Sequence, residues 1–247
     1  MIQTPRFVIL DQDDVAFQPW KGLEEVIDEC FTDALERALQ AQMIFITRDC
    51  IKTLVQKSYA EKGVATTLFV HQYNIDEIAV MRDYHRRLLD DHVLPQFEAK
   101  SAPFKMFYKE MQSLIHTAVQ NKVRFGMLTH GDHAWAQEVP VLTGLHALVP
   151  FRRGIDSYNL RRKNKDRSLY YDFLRDADFR GSFESVSLID DRQDNVDMAN
   201  AAGLRGLHVD IKGGNGPDNT LKVLREIARE AAAYNRIRMT RAQRLSA

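Results

Sequence analysis

The chain has 247 residues, of which 45% are hydrophobic and 28% charged, a composition typical of a folded protein with one large domain or a domain that carries an insertion. Lys and Arg total 34, as do Asp and Glu, and this balance argues against coating of nucleic acid or of an anionic membrane. With only Cys30 and Cys50 there is no disulfide framework, and neither a signal-peptide pattern nor a membrane-spanning apolar run is found. We therefore expect a soluble, cytoplasmic protein.

The first part of the chain predicts one strand followed by several helices. The apolar run at residues 7–10 is typical of a strand that is buried on both faces. Apolar residues then recur at spacings of three and four, as on an amphipathic helix. The helices predicted in this way cover residues 22–39, a segment from a Thr47 cap to Gly63, residues 75–89 and residues 103–119.

The second part of the chain returns to strands separated by helices. Strands are predicted at residues 123–128, 185–189 and 206–209, before a basic helix over residues 221–244. Helices between strands imply parallel crossovers, and hence an α/β, doubly wound, mostly parallel (Rossmann-like) sheet. The predicted division is an α/β core of residues 1–17 and 120–247, with an inserted all-helical cap at residues 18–119.

Polar side chains follow three of the predicted strands at the point where each ends. Asp11 and Asp13 follow the first strand, Thr129 the second, and Asp190 with Asp191 the third. Ligands of open α/β sheets bind beyond the carboxyl ends of the strands, where these side chains would meet. Four carboxylates repel one another unless a cation lies among them, and oxygen ligands suit Mg²⁺. Such an ion can in turn hold a phosphate oxygen.

This set of residues also predicts a chemistry for the first motif. One aspartate can attack phosphorus as a nucleophile, and a second, two residues on, can act as general acid and then base. A hydroxyl and an ammonium group are expected to bind the phosphoryl oxygens, and Thr129 and Lys165 offer them.

The ordered set of motifs resembles the haloacid dehalogenase superfamily of phosphohydrolases across the whole predicted core. Its four segments are DQDDV (residues 11–15), MLTHG around Thr129, NKDRSLYY around Lys165, and LIDDRQDNVDMANAAGLRGLHV around the adjacent pair Asp190 and Asp191. The resemblance implies that Asp11 is the nucleophile and Asp13 the acid/base.

The same resemblance implies a Mg²⁺ site and a phosphoryl site. The metal ligands would be Asp11, the backbone carbonyl of Asp13, and Asp191, with Asp190 in support. Thr129 and Lys165 would hold the phosphoryl group. Lys165 lacks the proline that usually follows this lysine, and Lys163, two residues earlier, is an alternative.

The insertion lies where this family carries its helical C1 cap. The segments GLEEVIDECFTDALERAL and KSYAEKGVATTLFVHQYNID are similar to the cap of pyrimidine 5′-nucleotidase-like members. This supports a nucleotide-like or other small phosphomonoester as the substrate. Separately, we expect no membrane or nucleic-acid partner and either a monomer or a homodimer. His130, beside Thr129, and His85, on a cap helix, are further candidates for substrate contact.

Other interpretations stay open. Asp13 argues for phosphate chemistry rather than dehalogenation, but a phosphomutase or a phosphonatase would share this core. A binding or regulatory protein that kept the fold is the alternative from another class, and Asp14, where relatives often carry Gly or Asn, favours it. The basic run at residues 152–167 is interpreted, apart from one lysine, as a solvated loop.

Overall fold

A computed structural model of the chain describes residues 5–20, 22–62, 64–100, 102–212 and 215–245. These residues form two units. One comprises Met1–Gln18 with Lys100–Ala247 and is called the α/β unit below, and the other, Pro19–Ala99, is called the helical unit. Among the described residues, none of the helices combines the length and apolar character needed to cross a membrane.

The helical unit consists of short helices packed around one apolar cluster. Leu35, Ile51, Phe69 and Val80 are buried in this cluster. The predicted helix at residues 75–89 begins later, because the Asp76 side chain caps it by accepting hydrogen bonds from two backbone N–H groups. The helices are α1 (Leu23–Ala41), α2 (Arg48–Lys62), α3 (Thr67–Tyr73), α4 (Glu77–Arg87) and α5 (Leu94–Phe97), with a π-helical turn at Leu88–Val93 before α5. Gly63, the predicted end of the second helix, lies outside the described residues.

The α/β unit contains a parallel sheet with helices on both faces. Its strands lie in the order β3-β2-β1-β4-β5, and every pairing is parallel, which confirms the predicted fold class. The strands are β1 (Phe7–Leu10), β2 (Arg124–Thr129), β3 (Phe151–Gly154), β4 (Val186–Asp190) and β5 (Arg205–His208). The helices are α6 (Ala102–Gln120), α7 (His133–Leu142), α8 (Ser168–Asp176), α9 (Gln193–Ala201) and α10 (Gly216–Leu245).

The central strand β1 supplies both hydrophobic cores. Val8 and Leu10 face a cluster that includes residues of α6 and α10, whereas Phe7 and Ile9 face a cluster that includes residues of α8 and α9. Successive side chains of a strand point to opposite faces, so a strand that is apolar at every position can hold a helical layer on each side. This explains why all four residues of β1, FVIL at positions 7–10, are apolar.

Helix α6 lies in the α/β unit, whereas the predicted cap extended from residue 18 to residue 119. Met111, Ile115 and Ala118 of α6 pack in the same core cluster as Val8 and Leu10. The division between the units falls at residues 18 and 99. Amphipathic spacing shows that a helix buries one face, but it does not identify what covers that face.

Strand β3 was not predicted, because its charged residues were interpreted as the start of a solvated loop. It pairs with β2 at the edge of the sheet, where charged side chains are common. The Arg152 guanidinium donates hydrogen bonds to the backbone carbonyls of His146 and Val149, and that of Arg153 lies 4.5 Å from the centre of the Phe151 ring. These arginines therefore hold the edge of the sheet.

Gly154, the last residue of β3, permits a close approach of the loop that follows Thr129. A Cβ atom added at Gly154 would lie 2.3 Å from the backbone carbon of Asp132 and 2.5 Å from the backbone nitrogen of His133. Because backbone atoms cannot swing away, we expect Gly154→Ala to lower the free energy of unfolding by about 1–3 kcal/mol.

The midpoint of urea denaturation measures this effect. Ser187→Ala is the control, because Ser187 is buried on β4 and its hydroxyl has no hydrogen-bond partner among the described residues, so its removal is expected to be nearly neutral. An unchanged midpoint in Gly154→Ala would contradict the rigid packing of this loop.

Candidate active site

Three carboxylates meet at the carboxyl edge of the sheet. One oxygen from each of Asp11, Asp190 and Asp191 lies within 4.8 Å of the others. The register of the central strands brings them together, because Leu10 pairs with Ile189 and the Asp11 backbone N–H donates to the Ile189 carbonyl at 2.9 Å. Two strands that are far apart in the chain thus end side by side, each with an aspartate.

A buried lysine lies between two of these carboxylates. The Lys163 side chain is 0% exposed, and its Nζ atom is 2.8 Å from Asp11 Oδ1 and 2.7 Å from Asp190 Oδ2. Burial by itself would lower the pKa of the Lys163 ammonium, but the two carboxylates outweigh burial and raise this pKa above its usual value. Lys163 therefore stays charged at neutral pH.

The structure brings Lys163, the predicted alternative to Lys165, against Asp11 and Asp190. Lys165 is exposed. Two hydrogen bonds hold the backbone of Lys163. The Lys163 N–H donates to His130 Nε2 at 3.1 Å, and the Lys163 carbonyl accepts from the Tyr170 hydroxyl at 3.1 Å. The conformation of this loop selects between the two lysines, and lysine spacing in the sequence contains no such information.

Asp190 and Asp191 have different surroundings. The Asp190 carboxylate is fully buried and accepts from Lys163, from the Asn195 side chain at 2.8 Å and from the Arg192 backbone N–H at 3.0 Å. Asp191 is half-buried, and burial, followed by the charge of Asp190, raises its pKa to about 6. Asp191 is thus the more open carboxylate, while Asp190 is held by three donors.

The charge balance of this cluster fits a divalent cation. Burial, followed by the charge of Asp190, raises the pKa of Asp11 well above its usual value, and Lys163 offsets only part of this effect. Three carboxylates thus face one ammonium group. An oxygen-only donor set with excess negative charge suits Mg²⁺.

Asp13 lies outside the group formed by Asp11, Asp190 and Asp191, and its carboxylate accepts hydrogen bonds from neutral donors. Its Oδ1 atom accepts from the indole Nε1–H of Trp135 at 2.9 Å, and its Oδ2 atom accepts from the Thr129 hydroxyl at 3.1 Å. Thr129 is buried at the end of β2, and its oxygen also accepts the Gly131 backbone N–H at 2.9 Å. The structure therefore brings Asp13 and Thr129 together, as predicted from their strand ends.

The two histidines singled out by sequence, His130 and His85, have different surroundings. His130 Nε2 accepts a backbone N–H, and burial, followed by the charge of Lys163, lowers its pKa well below the usual value, so the ring is neutral. His85 is buried on α4 in the helical unit, with its ring centre 4.5 Å from that of Tyr84. Substrate contact by either histidine stays a prediction.

Asp14 has a positive φ of 61°, a conformation that Gly and Asn adopt easily. Gln12 and Trp135 were not predicted as site residues. The hydrogen bond between them joins segments 123 residues apart, and no local sequence pattern indicates such a contact.

Comparison with known proteins supports the fold and nothing finer. No family model matches the sequence, and no curated protein matches it. Among solved structures, a dehalogenase superimposes with a TM-score of 0.51 at 13% identity, covering 86% of this chain and 88% of that one. CbbY from Rhodobacter sphaeroides, in complex with phosphate, superimposes with a TM-score of 0.50 at 15% identity over 82% and 84% of the two chains. These likenesses show the fold alone, so membership of the haloacid dehalogenase superfamily and of its nucleotidase subgroup both stay predictions.

Proposed function

We propose that the α/β unit hydrolyses a small phosphomonoester through a covalent aspartyl phosphate on Asp11. The observation that carries this proposal is the different environment of two aspartates only two residues apart. Asp11 lies among carboxylates against the Lys163 ammonium, whereas Asp13 lies against the neutral donors of Thr129 and Trp135. Two nearby carboxyl groups in distinct environments are the arrangement from which a nucleophile and an acid/base arise.

In the first step the Asp11 carboxylate attacks phosphorus. A bond forms between an Asp11 oxygen and phosphorus, the bond from phosphorus to the leaving oxygen breaks, and protonated Asp13 gives its proton to that oxygen. The charged Lys163 stays beside Asp11 and stabilises negative charge there, and the Thr129 hydroxyl is placed to donate to a phosphoryl oxygen.

In the second step Asp13, now a carboxylate, takes a proton from a water molecule. The resulting oxygen attacks phosphorus, and the bond between phosphorus and Asp11 breaks. Inorganic phosphate is released, and both aspartates return to their starting protonation states. The same group thus serves as acid and then as base.

Mg²⁺ is the proposed cofactor, held by Asp11 and Asp191 with Asp190 in support. The backbone carbonyl of Asp13 stays a predicted third ligand. When bound, the cation would offset the negative charge of the carboxylates and the phosphoryl group, which otherwise opposes attack by an anion. Asp190 would orient Lys163 and the metal ligands, since three donors already fix its carboxylate.

A nucleoside monophosphate is the first substrate to test, because the two helical segments are similar to nucleotidase caps. The phosphate in the CbbY complex is consistent with a phosphate ligand for this fold. A phosphomutase would differ in passing the phosphoryl group to a sugar hydroxyl instead of water, and a binding protein would release no phosphate.

The test is phosphate release from nucleoside monophosphates, sugar phosphates and an aryl phosphate, with Mg²⁺ or with chelator. We expect release with Mg²⁺ only. We also expect Mg²⁺ to raise the melting temperature, because a ligand at 100 times its dissociation constant stabilises the folded state by about 2.7 kcal/mol. Asp191→Asn should weaken this shift. Release that continues undiminished in chelator would contradict the metal site, and no release from any compound would favour the binding protein.

A further inference from the structure

Trp135, in the first turn of α7, donates a hydrogen bond to Asp13. The Trp135 side chain is almost fully buried, and its indole Nε1–H points at Asp13 Oδ1 at 2.9 Å. An indole N–H donates and never accepts. Asp13 Oδ1 is therefore committed to accepting this bond.

Trp135 is held firmly on several sides. Its backbone N–H donates to the Asp132 side chain, which caps α7, at 2.8 Å, and its backbone carbonyl accepts from the Gln12 side chain at 3.1 Å. Its ring packs edge-on against Phe17, with 5.7 Å between ring centres. Tryptophan held in this way presents its N–H in a single direction.

The Gln12 side chain forms a second link between Trp135 and the segment that carries Asp11 and Asp13. It stands between Asp11 and Asp13 in the chain and is fully buried. The segment that carries both aspartates is thus bound to Trp135 at two points, once through the Gln12 side chain and once through Asp13. Such support fixes reacting groups within the narrow tolerances that catalysis requires.

We infer that Trp135 is a positioning residue that holds Asp13 by Oδ1 and leaves Oδ2 as the oxygen that transfers the proton. This inference rests on the proposed function. The indole N–H can only donate, whereas the Thr129 hydroxyl can also accept, so the proton of neutral Asp13 belongs on Oδ2 and Oδ1 is the carbonyl oxygen. That oxygen lies 3.1 Å from the Thr129 hydroxyl. Once Oδ2 carries the proton, it no longer needs the Thr129 hydroxyl as a donor, and that hydroxyl can donate to the phosphoryl group instead.

Trp135→Phe tests this inference, because phenylalanine keeps a ring beside Phe17 and removes the N–H. The readout is kcat/KM, which covers the steps up to departure of the alcohol, for two substrates. An alkyl phosphate needs a proton on its leaving oxygen, whereas p-nitrophenyl phosphate hardly does. We expect a loss of roughly 10- to 100-fold for the alkyl phosphate and of less than about threefold for the aryl phosphate.

Phe17→Leu is the matched control, since it loosens the packing on the same ring and keeps the indole donor. It should change kcat/KM for both substrates by the same factor. If Trp135→Phe does not fold, benzothienylalanine at position 135 removes the N–H at nearly constant size, with sulfur in its place. The alkyl-selective loss is expected there as well.

Equal losses for both substrates in the variant without the N–H would overturn the positioning role and leave the proposed function standing. Absence of any Asp11-dependent phosphate release in the wild-type protein would overturn the proposed function, and this inference with it. Phosphate release by the wild-type protein, compared with Asp11→Asn, distinguishes the two failures.

Discussion

Asp11→Asn is expected to reduce phosphate release by about 10⁴-fold or more while the protein stays folded. Asparagine keeps the size of the side chain but lacks the carboxylate that attacks phosphorus, so the covalent route is lost rather than slowed. Stability should not fall, because Asp11 is one of three carboxylates around a single ammonium group. Removing one negative charge there relieves repulsion.

The measurement has two parts, turnover and trapping of the intermediate. Acid quenching of wild-type protein with labelled substrate should retain phosphate on the protein in an alkali-labile form, and Asp11→Asn should retain none. Asp197→Asn, an exposed position on α9, is the matched control and should behave as wild type. Turnover that persists in Asp11→Asn would rule out an aspartyl phosphate at this residue.

Lys163→Met and Lys165→Met form a second pair with opposite expected results. Without divalent metal, Lys163→Met should lower the free energy of unfolding by about 3–5 kcal/mol, because it leaves Asp11 and Asp190 buried without their shared partner. It should also abolish turnover. Lys165→Met should stay within about 0.5 kcal/mol of wild type and keep turnover within a few-fold, because Lys165 is exposed.

Chemical denaturation in chelator and phosphate release with Mg²⁺ measure the two effects for both variants. Methionine is close to lysine in length and apolar, so both variants compare the loss of an ammonium group at similar size. A larger effect of Lys165→Met than of Lys163→Met on phosphate release would show that the loop has another conformation when substrate is bound, and a larger effect on denaturation would contradict the burial of Lys163 between the two carboxylates.

Local patterns in the sequence were sufficient for the sheet and for most of its polar edge. A four-residue apolar run followed by aspartate predicted β1 and Asp11, and the segment SVSLI followed by two aspartates predicted β4 and Asp190. Parallel pairing then required those strand ends to meet, and the register of β1 against β4 confirms that they do. Strand propensity and side-chain alternation are local properties, so they can be read without a structure.

The choice between neighbouring residues depended on the path of the backbone. Lys163 and Lys165 have the same chemistry two positions apart, and only the loop that His130 and Tyr170 hold brings the first of them to Asp11. Likewise, α6 had the periodicity of a helix with one buried face, but only the fold shows that this face covers the α/β core.

The sequence by itself determined the fold class, the order of the motifs and the chemical types that meet at the carboxyl edge, because these follow from short-range patterns and from parallel topology. Only the tertiary structure decided which lysine enters the cluster and that Trp135 holds Asp13. The contact between Trp135 and Asp13 joins residues that are 122 positions apart, and the contact between Lys163 and Asp11 joins residues that are 152 positions apart (163 minus 11). No local pattern in the sequence encodes contacts over such separations.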